Sequence, residues 1–383
     1  MNLALLMGNR FNAWHLQGFR MLRNAPRITA FRAESQIQAH FSERGDGTEG
    51  FAMERIHFDT QSGNSLIRAK NMLMERYFDR APRILPFSER LKGFDLIHSW
   101  ELFTDWSAEA VAAHERYGTP LVITVWDLIP FNMEQTAERR AIKQRVAAAA
   151  NRFIVYTERS RMALELEGIA PGRISLVPPG VDTDLFSPGP RARSDDAFEI
   201  LFVGWLVPRK GIDFLLLALK QLLCDPELRG RRIRLRIVGS GAGRDRVERL
   251  IARLGIQEAC TFSGAVPYGT MPEIFRSADV FVLPSIATDE WQEQFGMALI
   301  EAMACGKPAI ATLSGAIEEI AGDAAVLCQP NDFHALYRNL RTLILDPGRG
   351  AALGLAARAR VLKCFDLGAH AGALSDVYDA LLK

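Results

Sequence analysis

Short apolar runs rich in β-branched residues alternate with helical patterns along the whole chain. That alternation narrows the fold more than any other feature. Strands separated by helix-length connections run parallel, with crossover helices covering the sheet faces. In the first half the runs are "LALLMG" (3–8), "ITAFRA" (28–33), "DLIHSW" (95–100), "LVITVW" (121–126), "RFIVYT" (152–157) and "ISLVPP" (174–179). The segment "SPGPRARSDDAFE" (187–199), rich in Pro, Gly, Ser and charge, then interrupts the pattern and reads as a linker. A second series follows: "ILFVGWL" (200–206), "IRLRIVG" (233–239), "CTFSGA" (260–265), "DVFVLPS" (279–285), "PAIAT" (308–312) and "AAVLCQP" (324–330). The expected fold class is α/β, with two doubly wound parallel-sheet domains in tandem over residues 1–190 and 191–365. The closing "LGAHAGALSDVYDALLK" (367–383) is a helix that either caps the second domain or returns to the first.

The chain has 383 residues, enough for two cores of ordinary size. Its net charge of +1 gives no bulk attraction to nucleic acid. The five cysteines are scattered, odd in number and without a C-x-x-C pair, as in a reduced cytoplasmic chain lacking disulfides and zinc. No run of 18 apolar residues is present, so no spanning helix is expected. The start "MNLALLMGNRF" lacks a basic region and a cleavage site and reads as a first strand. No His, Cys or Asp cluster has metal-ligand spacing, so no essential metal is expected.

The stretch "WQEQFGMALIEAMACGKPAI" (291–310) carries the sharpest chemical signal. From Phe295 to Cys305 nearly every residue is apolar, yet Glu301 stands inside the run and Glu293 just ahead of it. Strand candidates on either side make this a βαβ unit, with a helix from about Phe295 to Cys305 ended by Gly306 and Pro308. The preceding loop leaves the carboxyl end of its strand, where open α/β sheets take ligands. Gly296 permits close backbone approach at the helix start, whose free N–H groups favour a phosphate. A buried carboxylate needs donors or it is costly. The vicinal diol of a ribose supplies two. An ordinary glutamate would occupy a solvated helix edge, but Met297, Ala298, Leu299, Ile300, Ala302 and Met303 leave almost none.

The E-x7-E pair followed by "AMACGKP" resembles the donor-binding motif of retaining GT-B glycosyltransferases, glycosyltransferase family 4. "VPPGVDTDLFSPG" (177–189), "FVGWLVPRKGIDFLLLAL" (202–219), "LRIVGSGAGRDRVERL" (235–250) and "ATLSGAIEEIAGDAAVLCQPND" (311–332) are similar to further family segments in the same order. The resemblance covers roughly residues 151 to 370; the first 90 match only in outline. It implies a GT-B architecture of two Rossmann-like domains with the active site in the cleft between them, and a helix over 366–383 crossing back to the first domain. It implies that Glu301 holds ribose hydroxyls and that Glu293 lies by the transferred sugar. The backbone of Phe295, Gly296, Met297 and Ala298 would meet diphosphate or sugar. Lys210 would contact the diphosphate. The base would lie near Val266, Pro267, Met271 and the loop of Gly239 and Gly241.

The chemistry agrees. Cleaving a sugar–phosphate bond builds negative charge on the leaving diphosphate, and nearby cations stabilise it. "PRK" (208–210) supplies Arg209 and Lys210 where a purely structural role is disfavoured, since cations at a helix N-terminus oppose its dipole. The family usually has Arg directly after "VG"; here it is Trp205, and Arg209 is expected to take over its contact. In the first domain Trp126 stands where many members have a histidine, and Gly8 and Asn9 replace a glycine pair; Gly8 is expected on the donor side, Trp126 and Asn9 on the acceptor side. His98 is either a structural histidine or an acceptor contact.

The activity implied is transfer of a hexosyl unit from a UDP- or GDP-sugar to a saccharide or lipid-linked acceptor in cell-surface glycan synthesis. The nucleotide-sugar is a co-substrate, and no cofactor is expected. Alternatives are a nucleotide-sugar epimerase of the same architecture and a catalytically degenerate nucleotide-binding member. "VGSGAG" (238–243) lacks the G-x-G-x-x-G spacing and the acidic partner of a dinucleotide site. "DTD" (182–184) reads as a turn rather than a metal motif. Arg10, Arg20, Arg23, Arg27 and Arg32, with Phe11, Trp14 and Phe19 among them, suit peripheral contact with an anionic membrane face or an ordinary solvated surface.

Overall fold

A computed structural model describes residues 1–8, 13–33, 51–58, 83–190 and 196–383. The chain packs as two units, Met1–Pro178 with Gly368–Lys383, and Pro179–Leu367.

The first unit is a seven-stranded sheet: β1 (Asn2–Gly8), β2 (Arg27–Ala33), β3 (Ala52–Ile56), β4 (Leu96–Trp100), β5 (Leu121–Val125), β6 (Arg152–Val155) and β7 (Ile174–Leu176), in the order β3-β2-β1-β4-β5-β6-β7. Every pairing is parallel. β4 and β5 are buried along their full length, which explains their near-continuous apolar sequence: helices cover both faces of such sheets. Helix α1 (Ala13–Gln17) follows β1. Helices α2 (Asp105–Tyr117), α3 (Ala137–Ala149) and α4 (Glu158–Leu166) each start at a threonine, Thr104, Thr136 or Thr157, whose side chain accepts from a backbone N–H three residues on. β3, "AMERI", is absent from the sequence reading because it is a half-exposed edge strand with no apolar run.

The second unit is a six-stranded sheet: β8 (Phe198–Val203), β9 (Ile233–Val238), β10 (Cys260–Gly264), β11 (Val280–Leu283), β12 (Ala309–Thr312) and β13 (Val326–Cys328), ordered β10-β9-β8-β11-β12-β13 and again all parallel. Helix α5 (Ile212–Cys224) lays Leu215, Leu219 and Leu222 into the core over Ile200, Phe202 and Leu235. Helices α6 (Arg244–Leu254), α7 (Met271–Ser277), α8 (Met297–Ala304), α9 (Ile317–Ala321), α10 (Phe333–Leu345) and α11 (Pro347–Cys364) complete the layers.

Residues 179–190, which run ahead of the linker stretch and into its first residues, belong to the second unit. Arg276 holds the carbonyls of Leu185 and Ser187, and Arg358 those of Thr183 and Phe186. The last helix, α12 (Leu367–Leu381), lies almost wholly in the first unit, where Tyr378 is 1% exposed.

Candidate functional site in the second unit

In the second sheet the chain winds outward from β8 through β9 to β10, and on the other side from β11 to β13. The direction of winding reverses between β8 and β11, and ligands of open α/β sheets bind beyond the carboxyl ends of the strands at that point. Two segments leave those ends. One is Gly204–Gly211, with a turn of 3-10 helix at Pro208–Lys210; the other runs from Pro284 to Gly296. Gly211 joins them. It adopts φ +66°, and a Cβ there would lie 1.9 Å from the Pro284 carbonyl oxygen. Only glycine permits that approach. The Ile286 N–H donates to the Arg209 carbonyl at 2.9 Å and fastens the pair a second time.

Lys210 and Glu293 meet across this junction. Lys210 Nζ lies 3.0 Å from Glu293 Oε1 and 2.7 Å from Oε2. Ser285 Oγ donates to Oε2 at 2.6 Å. The main chain of Glu293 is also pinned: its N–H reaches Ser314 Oγ at 3.3 Å, and its carbonyl accepts from the Ala316 N–H at 3.0 Å. Glu293 is 6% exposed, and its charge is met by both Lys210 and the Ser285 hydroxyl. The Arg209 guanidinium and the Lys210 ammonium both lie over the Trp291 ring, 4.9 and 5.0 Å from its centroid.

Glu301 lies in α8, the helix expected there, and is 5% exposed. Gly296 precedes the helix in a left-handed conformation, φ +82°, tight against Ile317 and Leu283. Phe295 is buried edge-on against Phe365; Met297 and Ala298 form the first turn, half-buried. The Tyr268 hydroxyl donates to Glu301 Oε1 at 3.0 Å. Burial outweighs that bond and pushes the Glu301 carboxyl up to about 8. Val266 is half-buried, Pro267 exposed and Met271 buried around the Tyr268 turn. Gly239 and Gly241 bring the loop after β9 against the segment after β8: a Cβ on Gly239 would lie 2.0 Å from the Gly204 carbonyl, and one on Gly241 2.7 Å from that of Leu206. Trp205 is 58% exposed beside them.

The second unit thus brings Arg209, Lys210 and Glu293 together, and sets Glu301 in a helix of the same ligand-side loop system. Ser285, Ser314, Tyr268 and Trp291 were not singled out in the sequence. Serines and a tyrosine in loops carry no periodic signal, and only Trp291, two residues before Glu293, was findable as a large aromatic on a ligand-side loop. Among the described residues no group of three or more His, Cys, Asp or Glu side chains could hold a metal ion.

In the first unit the winding reverses between β1 and β4. Gly8 ends β1 with the Trp106 ring packed where a Cβ would stand. His98 lies inside β4 rather than at its end, in register with Leu5 and Val122. It is 1% exposed, with Nδ1 at 2.5 Å from Tyr378 Oη and Nε2 at 2.6 Å from Thr124 Oγ1. Burial, with a smaller contribution from His370, lowers its imidazole to about 3. Trp126 packs between the His15 and Tyr156 rings, and its backbone N–H donates to Glu101 Oε1 at 3.1 Å. Glu101, which follows β4 in a left-handed conformation, lines a shallow open depression with Asp127, Lys143 and Glu167. Asn9, Arg10 and Phe11 lie outside the described residues, as does the side chain of Trp14. Arg23 pairs with Asp376 and Asp379, so part of the early basic cluster is neutralised locally.

Two family models match the chain in succession: Glycosyltransferase Family 4 over residues 41–185 and Glycosyl transferases group 1 over residues 187–360. A D-inositol 3-phosphate glycosyltransferase of Acidothermus cellulolyticus is 33% identical over 70% of this chain, which spans 64% of that relative's length. D-inositol 3-phosphate glycosyltransferase 2 of Catenulispora acidiphila is 33% identical over 74% of this chain and 70% of its own. Among solved structures, Anabaena HepE in complex with UDP and glucose superposes with a TM-score of 0.77 at 20% identity, covering 100% of both chains. The two parallel-sheet units are those of the GT-B architecture, and the chain belongs to glycosyltransferase family 4.

Proposed function

We infer that this chain is a retaining glycosyltransferase that moves a hexosyl unit from a UDP- or GDP-sugar to a saccharide or lipid-linked acceptor in glycan synthesis. The observation that carries the reading is the Lys210–Glu293–Ser285 cluster at the strand-order reversal, with the buried Glu301 in the helix that follows. Arg209 and Lys210 meet the diphosphate and stabilise the charge that grows on it as the glycosidic bond breaks. Glu301 takes the two ribose hydroxyls, which replace the bond from Tyr268. Val266 and Met271 border the base. The HepE complex with UDP and glucose supports a uridine donor.

Glu293 orients the sugar. Both of its oxygens already accept hydrogen bonds, from Lys210 and Ser285, so neither is free to attack the sugar without breaking one. That engagement favours a front-face route, in which the departing phosphate takes the acceptor proton, over a covalent intermediate.

The acceptor is assigned to the first unit, with Glu101 and Trp126 at the carboxyl ends of β4 and β5 as its candidate contacts. The membrane-facing role of the basic segment is also part of this reading; no described helix is long and apolar enough to cross a membrane. The test is a thermal-shift panel of UDP, GDP and their hexose conjugates, followed by product analysis with D-inositol 3-phosphate and saccharide acceptors. A ligand at 100 times its Kd adds about 2.7 kcal/mol of stability. Transfer with retained anomeric configuration is expected. Altered donor released without any acceptor would make the chain an epimerase, and diphosphate binding without turnover a degenerate member.

A further inference from the structure

We propose that Trp291 is a positioning residue whose indole holds Arg209 and Lys210 together as a preset clamp for a diphosphate. The proposal rests on the donor-site reading above. Neighbouring cations repel, and two flexible side chains would otherwise spread apart. Here both charged ends lie over one ring, 4.9 and 5.0 Å from its centroid. The negative face of an indole attracts cations, so a single side chain offsets part of their repulsion and restricts both.

The two cations are not equivalent. Lys210 is neutralised by Glu293 at 2.7 Å. Arg209 makes no ion pair among the described residues, and Trp291 is what orders its guanidinium. The free positive charge of the clamp is therefore carried by Arg209. Trp291 is itself fixed by a tight turn. Its carbonyl accepts from the Thr288 N–H at 2.7 Å and from Thr288 Oγ1 at 3.3 Å, and its N–H donates to the Thr288 carbonyl at 3.4 Å. The base of that loop is tied to the Arg209 carbonyl through Ile286. Ring and cations thus form one assembly ahead of any ligand, and preorganised charge is worth more than charge that must be gathered. The sequence supplies the reason for such a device: the position after "VG" holds Trp205, so the second cation comes from Arg209 and needs a different support.

The test compares Trp291→Ala, Trp291→Phe and Trp291→Leu in the full chain. Affinities for UDP and GDP are measured beside UMP and GMP by calorimetry, with KM and kcat for the donor. A clamp acting on the second phosphate predicts about tenfold weaker diphosphate binding in W291A and W291L, less than a twofold change for the monophosphates, and near-wild-type behaviour in W291F. KM for the donor rises more than kcat falls. Should W291A not fold, W291L fills the volume without the aromatic face and carries the comparison. Equal losses for mono- and diphosphates, unchanged diphosphate binding, or a W291F as weak as W291L overturns the proposal. Arg209→Ala separates the two levels. If it leaves the preference for diphosphate intact, the donor-site reading fails; if it abolishes that preference while W291A and W291L do not, only the clamp fails.

Discussion

The Tyr268 hydroxyl lies 3.0 Å from Glu301 Oε1, and with it a carboxyl 5% exposed keeps a raised proton affinity, at about 8. In the unfolded chain that group titrates near the ordinary 4.5. Between these values the folded state binds the extra proton, so Glu301 contributes stability below pH 4.5 that is lost as pH rises through 8. Glu301→Gln imitates the protonated form and removes the loss. Urea unfolding should show the wild type losing about 2–4 kcal/mol relative to E301Q between pH 5 and pH 9. Parallel curves would refute the buried, proton-holding carboxyl. A ribose diol donates to the ionised form, so UDP binding at pH 7 should also release protons, detected as a buffer-dependent binding enthalpy that E301Q lacks.

Lys210→Ala strips Glu293 of its cation while leaving it buried. Breaking a buried pair costs about 3–5 kcal/mol, mostly for the charge left behind. The side chains here are 15% and 8% exposed, so the lower half of that range is expected. Lys210→Met combined with Glu293→Gln should recover at least half of the loss in stability, yet restore no transfer. Chemical denaturation and a turnover assay of the two variants beside the wild type give the answer. If the double variant turns over like the wild type, neither group serves the reaction.

How far the sequence could be read follows from where each signal resides. The buried strands, such as β4 and β5, were legible because both faces need apolar side chains, so the run itself is the signal. Helix α8 was legible to within two residues through Gly296, Gly306 and Pro308. β3 was not, because an edge strand carrying Glu54 and Arg55 keeps no apolar pattern. The attachment of residues 179–190 to the second unit depends on Arg276 and Arg358, which are remote in sequence, and composition holds no trace of that. The Lys210–Glu293 pair spans two loops, and only a family resemblance placed its members in one site. Ser285, Tyr268 and Trp291 carry no such signal, because their meaning lies in which side chain they touch.

Gly211 couples the fold to the cations. A Cβ there would meet the Pro284 carbonyl at 1.9 Å, and φ of +66° is strained for any other residue. The strain alone costs about 1–3 kcal/mol, and the clash must move either the Pro208–Lys210 turn or the loop after β11. Gly211→Ala should lower stability by about 2–4 kcal/mol and raise the donor KM at least fivefold, because Arg209 and Lys210 move with the turn. A variant with altered stability but wild-type KM would show that the two loops do not need to stay in register.

His98 and Tyr378 give the first unit a titration opposite in sign to that of Glu301. The imidazole is lowered to about 3 when folded, from about 6.5 when unfolded. The unfolded state therefore binds the extra proton between those values. The contribution of His98 is present above pH 6.5 and is lost as pH falls through 3. Tyr378→Phe removes the partner 2.5 Å from Nδ1 and leaves a buried ring nitrogen unsatisfied, at a cost of about 1–3 kcal/mol. It acts through α12, so it should loosen the closing helix first. Hydrogen exchange should show lost protection over 367–381 and over β4 in Y378F, with the second unit unchanged. Between about pH 4.5 and 6.5 the Glu301 and His98 slopes oppose each other and the wild-type profile is flattened. His98→Asn should expose the decline toward alkaline pH, and Glu301→Gln the decline toward acid. If both single variants retain the wild-type profile, the two buried groups do not titrate as the structure places them.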